Sequence, residues 1–277
     1  MRTVMLPDGE AVPALGQGTW MMGERAAHRA AEIATLRTGV ALGMTLVDTA
    51  EMYGEGASET LIGEALAGLR DNIFLVSKVY PHNASKRGVI AACERSLKRL
   101  RTDRLDLYLL HWRGEVPIED TIAGFEALRD AGKIRHWGVS NFDTEDMAEL
   151  FDTPGGDRCA VNQVLYNLSR RGAEFDLLPW LDAHKVPTMA YSPIEQGRLN
   201  TRGVLTEIAT RLGIAPLQVA LAWVLRQPNV IVIPKASSEA HVRANRAALD
   251  VALSQADLAA LDHVFEPPGR KRALEMI

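Results

Sequence analysis

The chain is poor in cysteine: Cys93 and Cys159 are its only two in 277 residues, far apart and without CxxC spacing. Neither a disulfide framework nor a zinc cluster is indicated, and a reducing cytoplasm is the expected location. A dominant charge is also missing, since 31 Lys and Arg stand against 35 Asp and Glu and leave a net charge of -4. No single-sign field is available to attract nucleic acid or an acidic membrane, so neither is expected as a partner. Long apolar runs are absent: none could span a bilayer, and the opening MRTVMLPDGE has no hydrophobic signal segment. There is no GxSxG, no P-loop and no HExxH, and His28, His82, His136, His184, His241 and His263 show no metal-ligand spacing. Serine hydrolase, nucleotide triphosphatase and metal-site chemistry are therefore not expected. No low-complexity linker or charge block interrupts the chain, so residues 1–277 read as one domain with a short tail, 266–277.

What the chain does have is a rhythm. Short apolar, β-rich runs alternate with helix-period segments from end to end, the pattern of parallel strands joined by crossover helices. The expected strands are 15–19, 45–49, 73–78, 105–111, 136–140, 160–165, 188–192 and 230–234. In the helix expected over Lys86–Leu100, Val89, Ala92, Cys93, Ser96, Leu97 and Leu100 form one apolar stripe and leave Arg95, Lys98 and Arg99 outward. Before the first unit, residues 4–6 and 11–13 flank a Pro-Asp-Gly turn, a hairpin that could close a barrel's bottom. Two helices, 217–226 behind Pro216 and 255–264 behind Ser254, stand outside the repeat. Eight β/α units in one domain give the fold class α/β, a closed (β/α)8 TIM barrel with an N-terminal β-hairpin and two extra helices.

In such barrels reactive groups come from the C-terminal ends of strands. Three expected strands end in ionisable residues, Asp48, Lys78 and His111, and Tyr53 follows Asp48 in the next loop. Singly, each has a bland reading: loop cap, solvated cation, packed ring, satisfied imidazole. Their coincidence at neighbouring strand ends outweighs it. The set suits carbonyl reduction, because hydride addition creates an alkoxide that must be protonated as it forms. Tyrosine, with a pKa of about 10, is a poor donor near neutrality. A cationic Lys78 beside Tyr53 is expected to lower that value, with Asp48 holding Lys78 protonated. A neutral His111 would donate to the substrate oxygen.

The stretches DTAEMYG, LVSKV, LDLYLLHW, GVSNF, NQVLYN, AYSP and IPKAS resemble the aldo-keto reductases in order and spacing, across essentially the whole chain. The overall pattern, with GQGTW, LLPW and the short tail, looks most like short bacterial members that reduce methylglyoxal and related 2-oxoaldehydes. The resemblance implies that Asp48, Tyr53, Lys78 and His111 form a catalytic tetrad. It further implies NADPH-dependent reduction of aldehydes and ketones, aromatic aldehydes included, with the reverse oxidation of alcohols also open. A Rossmann module is not indicated, because the nearest glycine pattern, Gly54-Glu55-Gly56-Ala57-Ser58-Glu59, lacks its third glycine.

By the same resemblance, Ser140, Asn141 and Gln163 match carboxamide binders, although Ser140 and Asn141 could instead cap a helix beginning near Asp143. Tyr191 matches the ring that stacks on nicotinamide. The backbone of Ser192, Pro193 and Ile194, the turn Gly18-Thr19-Trp20, and Asp48 would lie along the pyrophosphate and ribose. Lys235, Ala236, Ser237 and Ser238 lead into a helix whose N-terminus favours a phosphate, which supports NADPH. Asn245 matches an adenine contact. Here the chain departs from the commonest family pattern, with His241 in place of an arginine and Ala244 in place of an acidic residue. Histidine supplies less positive charge than arginine, so NADH is a weaker alternative cofactor. Arg243 is close in sequence but turned away by helical spacing. Trp20, Tyr53, Tyr80, His111 and Trp112 are the expected substrate pocket. A small-molecule carbonyl is the expected partner, and a monomer the expected state. Two other readings stand: a Schiff-base, aldolase-like lyase using Lys78, and a nucleotide-binding redox-sensor subunit.

Overall fold

The computed structural model describes residues 1–277. A hairpin, β1 (Thr3–Met5) and β2 (Ala11–Pro13), precedes eight parallel strands. These are β3 (Gln17–Gly18), β4 (Leu46–Asp48), β5 (Phe74–Val79), β6 (Leu105–Leu110), β7 (Ile134–Ser140), β8 (Asn162–Leu165), β9 (Thr188–Tyr191) and β10 (Val230–Val232). Each strand pairs with its sequence neighbour. The ring closes where Leu15 meets Val232 and Gly18 meets Lys235 in parallel bridges, with the Gly16 amide donating to the Val232 carbonyl at 2.8 Å. Glycine is required at this seam: a Cβ on Gly18 would lie 2.7 Å from the Ile233 carbonyl oxygen. The expected strand 15–19 is thus split, Gln17 and Gly18 pairing with β4 while Leu15 and Gly18 bridge toward β10.

Ten helices surround the strands: α1 (Arg29–Ala41), α2 (Ala57–Ala65), α3 (Lys86–Leu100), α4 (Ile118–Asp130), α5 (Thr144–Asp152), α6 (Leu177–Ala183), α7 (Val204–Leu212), α8 (Pro216–Leu225), α9 (Glu239–Ala247) and α10 (Gln255–Val264). One helix follows each strand except β9, which is followed by two, and α10 comes last; the surplus is the pair of additional helices expected. Helix α3 buries the stripe read from its sequence, begins where Ser85 accepts the Gly88 amide, and stops at Arg101 in the left-handed region. No single helix is long and apolar enough to cross a membrane.

The apolar residues divide into two cores. An outer one lies between strands and helices, and includes Tyr108, Phe125 and Trp137. Each such ring, fully buried, contributes about 1.5–3 kcal/mol. An inner core fills the barrel's bottom, where Val4, Leu6 and Val12 of the hairpin meet Leu46, Phe74, Val76, Leu107 and Leu109. Strand side chains alternate between the two faces. The inward rows Leu46–Asp48, Phe74–Val76–Lys78, Leu107–Leu109–His111, Val161–Gln163 and Met189–Tyr191 therefore run from apolar at the bottom to polar at the mouth.

The tail, expected as an appendage, folds back across that mouth. Lys271 lies 2.9 Å from Glu145 and 3.4 Å from Asp176, and Glu275 lies 2.6 Å from Arg170. At the opposite end, Asp8, Glu10 and His136 come together, a grouping not visible from their spacing. Arg135 already lies 2.6 Å from the Glu10 carboxylate, so a guanidinium takes the place a cation would fill.

Candidate active site

Lys78 is fully buried and its ammonium is surrounded by acceptors: Asp48 Oδ1 at 2.8 Å, the Thr49 carbonyl at 2.8 Å and the Tyr53 hydroxyl at 3.2 Å. Asp48 is held in turn, its Oδ1 accepting from Gln163 Nε2 at 2.8 Å and its carbonyl from Thr19 Oγ1 at 2.8 Å. Tyr53 opens the turn Tyr53–Gly56, where Gly54 and Glu55 both take positive φ and present the ring to the mouth. Its ring meets His111 edge-on, with centroids 5.9 Å apart. The four groups thus converge, as the inward-facing strand pattern demands.

Their charge states follow from burial and mutual contact. Burial works to lower the Lys78 pKa, but Asp48 and Tyr53 raise it and the balance is upward, so the ammonium persists at neutral pH. His111 is pushed down to about 2, by burial first and by Lys78 second, and is neutral. Tyr53 differs from expectation. Lys78 does lower its pKa, but burial is the larger influence and Asp48 adds to it, so the phenol lies above its ordinary value. Desolvation was not readable from spacing. Its consequence is a hydroxyl that keeps its proton until a stronger base forms beside it.

Around this floor opens a cavity of about 1220 Å³. Typical small-molecule pockets are about 300–1,000 Å³, so the space suits an extended ligand together with a small one. Gly18, Thr19, Trp20, Ser140, Asn141, Gln163 and Tyr191 line it, as do Ser192, Pro193, Ile194, Lys235, Ser237, His241 and Asn245. Ala236 and Ser238 do not, although Ser238 caps α9 by accepting the His241 amide. Ser140 and Asn141 do not cap a helix: Asp143 supplies the cap of α5 with a capping box. Instead Asn141, at φ 59°, donates from Nδ2 to the His111 carbonyl at 3.0 Å, while its Oδ1 accepts from the Tyr191 hydroxyl at 3.0 Å. Arg243 points away from the cavity toward Glu239, 3.9 Å off.

The apolar side of the cavity holds Trp20, Met21, Met52, Trp112, Met276 and Ile277. Tyr80, expected there, sits behind Trp112, edge-on at 5.8 Å, and does not line the space. Its amide is held by Glu51 at 2.9 Å, which fixes the ring in a second layer. Met276, Ile277, Met52 and the start of α8 were not expected. The helix expected behind Pro216 is α8, but nothing in the sequence placed it at the cavity. The residues present fit a dinucleotide: Lys235 is exposed with no acidic partner, and α9 offers a capped N-terminus beside it.

A closed parallel barrel with Asp48, Tyr53, Lys78 and His111 gathered at its mouth is the site of a barrel enzyme suited to proton transfer. The sequence profile of the Aldo/keto reductase family matches residues 14–266, and the chain belongs to that family. It is 54% identical over 272 residues to methylglyoxal reductase YeaE of Escherichia coli, covering 96% of each chain. It is 34% identical over 263 residues to glyoxal reductase of Bacillus subtilis, covering 94% of this chain and 91% of that protein. An aldo/keto reductase from Klebsiella pneumoniae, crystallised with NADP and acetate, superposes with a TM-score of 0.97 at 52% identity, over 100% of this chain and 99% of that one.

Proposed function

We propose that this protein reduces aldehydes and ketones to alcohols with NADPH, 2-oxoaldehydes such as methylglyoxal and aromatic aldehydes foremost, and that Asp48, Tyr53, Lys78 and His111 carry the chemistry. The carrying observation is the Lys78 ammonium held between Asp48 and the Tyr53 hydroxyl, beside a neutral imidazole at the floor of the cavity. A reduced nicotinamide, when bound, would supply hydride for the carbonyl carbon. Tyr53 gives its proton to the carbonyl oxygen as negative charge develops there. Lys78 stabilises the phenolate left behind, and Asp48 fixes the ammonium in place. Neutral His111 donates one ring N–H to the same oxygen and orients the substrate. In reverse, with NADP+ as the hydride acceptor, the same groups would serve alcohol oxidation, Tyr53 as phenolate taking the hydroxyl proton.

Ser140, Asn141 and Gln163 would hold the carboxamide, with Tyr191 against the ring. Gly18, Thr19, Trp20 and residues 192–194 would follow the pyrophosphate and ribose. Lys235, Ser237 and the α9 N-terminus would take the 2′-phosphate, with His241 and Asn245 at adenine. The relatives support this reading, since the Klebsiella pneumoniae protein was crystallised with NADPH and the Escherichia coli one is a methylglyoxal reductase. The apolar wall of Trp20, Met21, Trp112 and Met276 favours aldehydes bearing a small or aromatic group. We further propose a cytoplasmic location, which rests on the cysteine-poor composition, and a monomeric state, which sedimentation of the purified chain tests. Lys78 is a poor Schiff-base nucleophile, since it is buried, charged and fully hydrogen-bonded.

Steady-state oxidation of NADPH with methylglyoxal and phenylglyoxal tests the whole reading. Tyr53→Phe should lower kcat by at least about 100-fold, the scale of lost general acid catalysis. Parental velocity in that variant rejects the assignment, and negligible turnover by the unmodified chain favours the sensor alternative.

A further inference from the structure

Two parts of the cavity wall come from segments far apart in sequence. One is the turn at 192–197 after β9; the other is the end of the tail, where Met276 and Ile277 sit. The turn is strained, because Ser192, Glu195 and Gln196 have φ of 47°, 50° and 57°. Non-glycine residues in that region persist only where surrounding structure over-determines them. Glu195 is the one residue of residues 194–197 that does not line the cavity, and its side chain is 10% exposed. Its carboxylate serves the turn from behind.

What holds that carboxylate is a second turn, 167–170, following β8. Asn167 Nδ2 donates to the Ser192 carbonyl at 2.9 Å and to Glu195 Oε2 at 2.8 Å, while its Oδ1 accepts the Ser169 amide at 2.9 Å. Arg170 closes this turn, its amide donating to the Asn167 carbonyl at 3.0 Å. Its guanidinium then reaches both walls. Nη2 lies 3.0 Å from Glu195 Oε1, and Nη1 lies 2.6 Å from Glu275 Oε1, one residue before Met276. Arginine suits this joint, since its planar fork can serve two carboxylates at once while staying charged.

We propose that Arg170 is a positioning residue that couples the nucleotide-facing turn 192–197 to the carbonyl-facing segment 275–277, so that one guanidinium sets affinity on both sides of the cavity. The assignment of the two sides rests on the reductase reading above; the mechanical coupling does not. Removing Glu275 frees only the tail. Removing Arg170 frees the tail and also leaves the buried Glu195 carboxylate without its cation, which loosens the strained turn.

Three variants, Arg170→Ala, Glu275→Gln and the double, separate these effects by hydrogen exchange, NADPH titration and methylglyoxal kinetics. In Glu275→Gln, exchange should quicken in 266–277 alone, KM for methylglyoxal should rise about two- to fivefold, the range of a half-exposed ion pair, and the NADPH Kd should hold. In Arg170→Ala, exchange should quicken in both segments and the NADPH Kd should rise about tenfold, with kcat little changed. The double variant should match Arg170→Ala in KM, because the two residues act through one contact. High salt should raise the parental KM toward that of Glu275→Gln and leave that variant unmoved, which a purely structural role would not produce. Unchanged exchange at 192–197 in Arg170→Ala, or multiplied KM effects in the double variant, overturns the proposal. If the exchange results hold while the unmodified chain turns over no dicarbonyl, the coupling stands and the reductase reading has failed.

Discussion

At the scale of single residues, burial decides more than neighbouring charge. His111 titrates at about 2 in the native chain, whereas an unfolded imidazole titrates near about 6.5. Between those values the unfolded state binds a proton that the native state refuses, so this contribution to stability is whole above the unfolded value and is lost as pH falls below it. The loss from this one residue is about 1.4 kcal/mol per pH unit. Between about pH 6 and about pH 4.5, urea unfolding should show the parent losing stability faster than His111→Gln by that slope; parallel curves would mean a native imidazole that titrates as the unfolded one does. Lys78 makes the complementary case. Lys78→Met strands the buried Asp48 carboxylate, and should cost about 3–5 kcal/mol in urea unfolding as well as lowering kcat at least about 100-fold. Activity lost with stability kept would locate the role of Lys78 in the chemistry alone.

At the scale of elements, legibility followed local signals. Helices α3 and α10 match their sequence-expected bounds because each carries its own cap, Ser85 in one and Ser254 with Asp257 in the other. Strand ends were read to within a few residues, which sufficed to bring Asp48, Lys78 and His111 to one mouth. Direction was harder. Whether Tyr80 turns toward the cavity or behind Trp112 depends on Glu51 gripping its amide from 29 positions away. The tail gave no local signal, since its anchor Glu275 is 105 positions from Arg170 and Lys271 is 126 from Glu145. The closing of the ring was read from its eight β/α units, but the close backbone approach at the seam, Gly18 against Ile233, was not. It makes a sharp prediction: in Gly18→Ala the new methyl meets the Ile233 backbone carbonyl, at 2.7 Å, and neither strand can yield without opening the ring. Urea unfolding should report a loss of about 1–3 kcal/mol, and an unchanged midpoint would show that the seam breathes.

At the scale of the molecule, the barrel supplies an apolar plug below and a polar rim above, so a nucleotide lying across the rim as proposed would tie together strands from around the ring. Such a ligand binds only the closed barrel and must stabilise it by mass action, by about 2.7 kcal/mol at a hundred times Kd. For a chain of this size that corresponds to a rise of roughly 5–10 °C in Tm. The same measurement dissects the 2′-phosphate contact, because NADPH and NADH share every other group. Lys235 is the exposed, unpaired cation on the cavity wall near His241, so the excess shift given by NADPH over NADH should shrink in Lys235→Met while the NADH shift holds. His241→Arg should widen it, since a guanidinium carries a full charge at every working pH. If Lys235→Met lowers both shifts equally, the lysine supports the barrel rim rather than reading the phosphate, and cofactor preference must then originate at Ser237 and the α9 N-terminus, where backbone amides can meet an anion without a side-chain charge.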